Sequence, residues 1–234
     1  MEKHIQYAAL VNARKACRRC DGMRNPSVLK EGRFDSDQIG PWTKWLGDLN
    51  ASVMVIGQEW GDGNAFLAQS GRDSSTSATN IMLRELLGSM GIEVPAVDNP
   101  SDQCGVFLTN AALCMKDNGC QAPVQDSWFR VCGQTFLRPQ IELVQPRIVI
   151  ALGQRAFMAV RGAYGQSSPS RFRDAVDGPS LVLPNGSLLF AVYHCGQRIL
   201  NTHRKRAQQF ADWQRIGEAV RSGGKRVRSI FLEG

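Results

Sequence analysis

The 234-residue chain carries 28 Lys and Arg against 21 Asp and Glu, a formal charge of +7, and 43% of its residues are apolar. That much apolar material excludes disorder as the main state and fits one large α/β domain, or one domain with a small appendage. No apolar run approaches the ~18 residues of a membrane span, and the start MEKHIQYAALVNARK has no long apolar stretch or small-residue cleavage site, so a cytoplasmic protein without a membrane partner is expected. Seven cysteines in such a chain point to metal binding or buried thiols, not to a disulfide framework. The positive excess favours a polyanionic partner only weakly, because basic balance more often marks a solvated surface.

In chain order, Cys17 and Cys20 first form a C-x-x-C within a basic run, Arg14, Lys15, Arg18 and Arg19. Two sulfurs at that spacing reach one centre from a single turn. The basic side chains suit either a phosphate backbone or a solvated helix face. Residues 52–56 (SVMVI) read as a first buried strand, followed by a polar loop over 62–77. Ile81, Leu83, Leu86, Leu87 and Met90 recur at helical spacing, and Gly91 caps that helix. Residues 105–108 read as a second strand. Trp128, Cys132, Phe136 and Leu137 mark a helix that Pro139 kinks or restarts. A third strand is expected over 147–152, then a helix over 154–160 stopped by Gly162, then a loop over 163–180 with room for a short helix. Pro184-Asn185-Gly186 reads as a tight hairpin turn into a fourth strand, 188–193. Ala207, Phe210, Trp213, Ile216 and Val220 form the apolar stripe of a last helix between Arg204 and Arg221. The tail Lys225-Arg-Val-Arg228, after Gly223-Gly224, is a frayed end or a phosphate contact. Near-continuous apolar strands alternating with helices predict a three-layer α/β/α fold around a four-stranded parallel sheet.

In such sheets ligands bind at the carboxyl ends of the strands. The first strand ends in Gly57-Gln-Glu-Trp-Gly-Asp62, the second in Thr109-Asn110, the third in Gly153-Gln154 and the fourth in His194-Cys195-Gly196. The amide of Asn110 can donate and accept, and so can read a base edge bidentately. Glu59 or Asp62 can orient a water or stabilise a cationic sugar, and neutral His194 can donate to an oxygen that becomes negative. The helix start at Gly153 suits a phosphate. Each residue alone is a weak signal; their meeting at one edge carries the expectation. No lysine stands at a motif edge, so no Schiff-base step is expected.

Four segments, in this order, resemble the uracil-DNA glycosylase superfamily. VMVIGQEWG resembles its first motif, and VFLTNAALC its second in the form of the iron–sulfur branch called family 4. CGQTFLRPQIELVQPRIVIALGQRA resembles the family-4 stretch from a cluster cysteine to the ALG strand. AVYHCGQRILNTHR takes the place of the His-Pro-Ser motif and minor-groove loop. The resemblance covers residues 10–215. It implies a single domain over 1–234, with an arm, 1–50, that carries two cluster cysteines. It implies a monomeric, nucleoid-associated, monofunctional repair enzyme that flips uracil or another damaged base out of DNA and hydrolyses it, leaving an abasic site. In that frame Glu59, His194 and Asp62 are catalytic; Gln58, Trp60, Gly61, Phe66 and Asn110 surround the base; and Gly153, Gln154, Arg198, Ile199, Leu200, His203 and Arg204 meet the DNA. Cys17, Cys20, Cys114 and Cys132 are the implied ligands of a [4Fe–4S] cluster, with zinc as the alternative and Cys120 as a competitor of Cys114. The chain departs from the pattern in three places. Glu59 falls where the GQD form has its acid, while family 4 has its acid at the place of Gln58. The stretch 73–77 lacks the phenylalanine that stacks on the base, leaving Phe66 or Trp60 to replace it. Cys195-Gly196 stands for Pro-Ser. A catalytically inactive iron–sulfur protein that binds DNA or carries electrons on the same scaffold is the alternative.

Overall fold

A computed structural model describes residues 1–61, 63–117, 119, 122–167 and 171–222. Asp62, Cys120, Gly223, Gly224 and the basic tail over 225–228 lie outside the described residues. Helices α1 (Glu2–Ala16) and α2 (Pro41–Trp45) precede the central sheet, and a two-residue strand β1 (Met23–Arg24) lies between them. The sheet is built from β2 (Val53–Gly57), β3 (Val106–Asn110), β5 (Ile148–Leu152), β6 (Leu181–Val182) and β7 (Leu188–Val192), in the order β3-β2-β5-β7-β6. β4 (Met115–Lys116) instead pairs with β1, antiparallel, as a separate ribbon.

The four expected strands are present and parallel. Their registers are in phase, with Val53 opposite both Val106 and Ile148, and Ile148 opposite Leu188. All four therefore end along one line. Side chains alternate between two cores, as the period of two requires. Met54, Ile56, Phe107, Val149 and Leu189 pack with Tyr7 and Val11 of α1 and with Phe129, Ile141 and Phe157. Val53, Val55, Leu108, Ile150 and Phe190 pack with Trp42 and Trp45 of α2 and with Leu83, Leu86, Trp213 and Ile216. Two apolar faces under two helix layers make the three-layer fold.

The helices after β2 are α3 (Gly63–Ala68), α4 (Ala78–Ser89), α5 (Asp126–Cys132), α6 (Arg138–Val144), α7 (Gln154–Ala163), α8 (Phe172–Asp177), α9 (Gln197–Thr202) and α10 (Arg206–Arg221). A π-helical turn, Gly133–Leu137, joins α5 to α6. Proline cannot donate to the carbonyl four residues back and its ring crowds it, so the backbone widens just before Pro139 and the helix continues. Three details correct the sequence expectations. β6 adds a fifth, antiparallel strand, closed by the expected hairpin at 184–186, where Gly186 has φ +88° and the Asn185 side chain accepts the Ser187 N–H at 3.1 Å. Gly162 does not stop α7, which runs to Ala163; the chain turns at Gly165, φ +68°, with the Gln166 N–H closing on the Arg161 carbonyl at 2.9 Å. Ala207 faces solvent, so the buried stripe of α10 is centred on Trp213 and Ile216.

Candidate active site and cysteine centre

Because the strands end together, Gly57, Asn110, Gly153 and His194 lie on one edge. Gly57 is directly opposite Asn110. A methyl group at Gly57 would meet Asn110 Oδ1 at 2.4 Å and the Trp42 ring at 2.5 Å, so glycine is required where these two side chains close on the strand. Asn110 is 4% exposed, and its Oδ1 has no hydrogen-bond partner among the described residues. A buried acceptor left open is costly unless something else fills it. Trp42 was not expected here. Its Nε1 donates to the Asp73 carboxylate at 2.6 Å, and Asp73, raised above the usual carboxylate range chiefly by burial, stands in the stretch that lacks the stacking phenylalanine. An indole placed by a carboxylate 31 residues away leaves no local pattern in the sequence.

The loop after β2 is tied along the segment after β3. The Ala111, Ala112 and Lys116 N–H groups donate to the carbonyls of Gly57, Gln58 and Gly61 at 2.8, 2.9 and 3.0 Å. Gln58, Glu59, Trp60 and Gly61 are all partly buried, with Gly61 at φ +111° and Trp60 packed between two apolar clusters. Glu59 pairs with Lys116 Nζ at 3.1 Å, both side chains almost fully buried. A lysine therefore stands beside this loop although none stands at a motif edge; it comes from the strand β4, and the ribbon pairing brings it in. Phe66 is sealed in a small core with Leu29 and Met115, 1% exposed, and is not available to stack on a base.

His194 Nδ1 accepts the Gly196 N–H at 3.0 Å, which fixes the neutral ring as the Nε2–H tautomer. Burial lowers its pKa below the usual histidine value, while the charge of Glu59 pulls it the other way, which places the two in one electrostatic neighbourhood. A methyl group at Gly153 would lie 3.8 Å from His194 Cβ. The Gly153 N–H is spent on the Val192 carbonyl at 2.7 Å and is not free for a phosphate. Gln154, next in line, is exposed. On α9 Arg198 is exposed, Ile199 is partly exposed, and Leu200 packs on the second core. His203 is exposed and stacks on Tyr193, with ring centroids 6.4 Å apart. Arg204 is not a free phosphate grip. It makes a two-pronged pair with Asp212 at 2.6 and 2.9 Å and also reaches Asp177 at 3.0 Å. Arg14 in the N-terminal run is likewise 1% exposed and spent on Asp35 at 2.7 Å and on the carbonyls of Ser36 and Gln38, and Lys15 pairs with Asp37. Sequence shows a cation but not the carboxylate that folding sets beside it.

Cys17, Cys20, Cys114 and Cys132 come together from three segments. The β1–β4 ribbon sets the arm beside the residues after Cys114. The Trp128 indole on α5 donates to the Asp21 carbonyl at 2.8 Å, and the Asn25 amide donates to the carbonyls of Arg14 and Cys17 at 2.6 and 3.1 Å. Burial pushes the Cys114 thiol up to about 12, with Cys17 and Cys20 adding to the rise. The Cys132 thiol is raised by burial and then by Cys114, Cys20 and Cys17. Cys17, Cys20 and Cys114 line a cavity of about 380 Å³. Among the described residues no group of three or more His, Cys, Asp or Glu side chains closes on a single ion. Cys195 is buried against the Thr79 carbonyl and Cys104 lies near the Ser101 and Val106 carbonyls, both apart from this centre.

A parallel sheet with an amide, a carboxylate and a neutral histidine at one edge defines the class: residues 45–215 match the Uracil DNA glycosylase superfamily, and the chain belongs to it. It is 26% identical over 217 residues to the type-5 uracil-DNA glycosylase of Pyrobaculum aerophilum, a match that covers 88% of this chain and 89% of that protein. The relative bears the type-5 designation, whereas the second and third motifs here resemble family 4. Among the described residues no helix is long and apolar enough to cross a membrane.

Proposed function

We propose that the protein is a monofunctional DNA glycosylase that removes uracil, or another deaminated base, and leaves an abasic site. The observation that carries this reading is the meeting of Asn110, Glu59 and His194 at one sheet edge, with Asn110 Oδ1 and Glu59 Oε2 buried and unpartnered among the described residues. The flipped base is read by the Asn110 amide against the aromatic surfaces of Trp42 and Trp60. The N-glycosidic bond breaks with its electron pair leaving on the base, whose oxygen accepts a hydrogen bond from His194 Nε2–H. A preorganised donor of this kind contributes about 10²–10³ in rate. Glu59 faces the sugar cation and orients the water that attacks it. Ile199, at the tip of α9, fills the gap left in the duplex, and Gln154, Arg198 and His203 meet the backbone.

Cys17, Cys20, Cys114 and Cys132 fit a [4Fe–4S] cluster, with zinc as the alternative. Burial, and then the neighbouring cysteines, raise Cys20, Cys114 and Cys132, and such thiols become stable thiolates only beside concentrated positive charge. The cavity of about 380 Å³ that Cys17, Cys20 and Cys114 line leaves room for the larger group. When bound it supplies a structural clamp between the arm and α5. Iron and sulfide content of the purified protein tests this, and one equivalent of zinc without iron would decide for the alternative.

The activity test is alkali-dependent cleavage of duplexes carrying a single uracil, hypoxanthine or xanthine. Cleavage at uracil is expected, with Glu59→Gln and His194→Ala each slowing it by about 100-fold or more. Binding to abasic-site DNA without any base release would leave a non-catalytic DNA-binding protein. Cleavage without alkali would show a lyase step and overturn the monofunctional assignment.

A further inference from the structure

We infer that Lys116 is a positioning residue for the reaction, holding the Glu59 carboxylate so that its second oxygen faces the reacting centre. The inference rests on the glycosylase reading above. Among the described residues, Lys116 is clamped in at least three ways. Its backbone pairs with Met23 of the cysteine-bearing arm. Its N–H donates to the Gly61 carbonyl at 3.0 Å, in the same loop that carries Glu59. Its Nζ meets Glu59 Oε1 at 3.1 Å and the Ala122 carbonyl at 3.4 Å. Side-chain exposures of 6% for Lys116 and 10% for Glu59 take the pair out of bulk water.

A buried ion pair is poor value for stability, since desolvation costs about as much as the attraction returns. This one also uses only half of its carboxylate. Glu59 Oε1 is held, while Oε2 is buried without a hydrogen-bond partner among the described residues. A carboxylate serving structure alone would satisfy both oxygens. Fixing one oxygen fixes the plane of the group, and the other then has one direction to act in. His194 feels the charge of the same carboxylate. Because Lys116 lies two residues after Cys114 and opposite the arm, the cysteine centre and the catalytic loop meet at this side chain.

The test is single-turnover uracil excision, with the Kd for a duplex carrying a non-hydrolysable 2′-fluorinated deoxyuridine measured alongside. Wild type is compared with Lys116→Met, Lys116→Arg, Glu59→Gln and the Glu59→Gln/Lys116→Met double variant. Lys116→Met is expected to slow excision by about 100-fold while the Kd changes less than about 3-fold, and Lys116→Arg is expected to recover most of the rate. In the Glu59→Gln background, loss of Lys116 should cost less than about 3-fold, because the group it positions is already gone. If Lys116→Met does not fold, Lys116→Gln takes its place in both backgrounds, with the same expected rates. An equal cost in both backgrounds, a loss of DNA affinity matching the loss of rate, or full activity of Lys116→Met would overturn it. A wild type that excises nothing removes the glycosylase reading and this inference with it, whereas an active wild type with an indifferent Lys116 removes only the inference.

Discussion

A methyl group at Gly196 would lie 3.0 Å from His194 Nδ1 and 3.2 Å from Cε1. The backbone there has an ordinary φ of −73°, so alanine meets no conformational penalty and the whole effect falls on the imidazole. Gly196→Ala is therefore expected to slow excision by about 10-fold or more while moving the urea midpoint little, since a 1 Å shift of a donor costs far more in rate than in stability. Unchanged kinetics in the folded variant would show that the ring is free to turn. At this scale the sequence was informative where a residue's position alone gives its place. Glu59 and His194 stand just past strands and Asn110 at a strand's end, and the strands are legible from apolar runs. Lys116, Trp42 and Asp73 were not legible, because each acquires its partner through pairing across many residues. Arg14 and Arg204 were misleading for the same reason, being charges whose carboxylates lie 21 and 8 residues away.

Among the elements, the arm shows how little regular structure a cysteine centre needs. β1 and β4 are two residues each, too short to carry a period of two, and neither was visible in the sequence. What fixes the arm is polar and specific. Asn25, 3% exposed, donates to two carbonyls and accepts the Ser27 N–H at 3.1 Å. Asn25→Ala leaves those groups buried and unpaired, at a cost of about 1–3 kcal/mol. The loss should be local. Amide exchange is expected to quicken over residues 1–25, while the amides of β2 and β5 stay protected. Uniformly faster exchange across the sheet would show that the arm and sheet unfold as one. The helix over 126–144 teaches a related lesson. Pro139 signals a disturbance, and the helix absorbs it by widening one turn, because Gln140 holds on. Its amide donates to the Phe136 carbonyl at 3.0 Å, and its Oε1 accepts the Thr109 hydroxyl at 2.8 Å, one residue before Asn110.

For the molecule as a whole, the count of 28 Lys and Arg overstates the cations available to DNA. Arg14 and Arg204 neutralise internal carboxylates, and Arg206 pairs with Glu85 at 2.6 Å. The salt dependence of DNA binding should accordingly be modest. Arg198→Ala is expected to weaken binding across sequences and to lower the slope of log K against log salt by about 1. Arg204→Ala should leave the slope alone and lower the urea midpoint, because it strands Asp212 in the interior. A reduced slope in Arg204→Ala would place that side chain on the DNA after all.

The in-phase ends of the four parallel strands also order events in time. The ribosome delivers Glu59 first, Asn110 some fifty residues later and His194 last of the three, with β7 the final strand to join the sheet. A nascent chain that has reached β5 already includes Glu59 and Asn110, yet it lacks the imidazole, α9 and α10. The line that gathers the three groups is complete only when the last strand docks, so an unfinished chain that touches the genome carries no assembled site with which to cut a base from it.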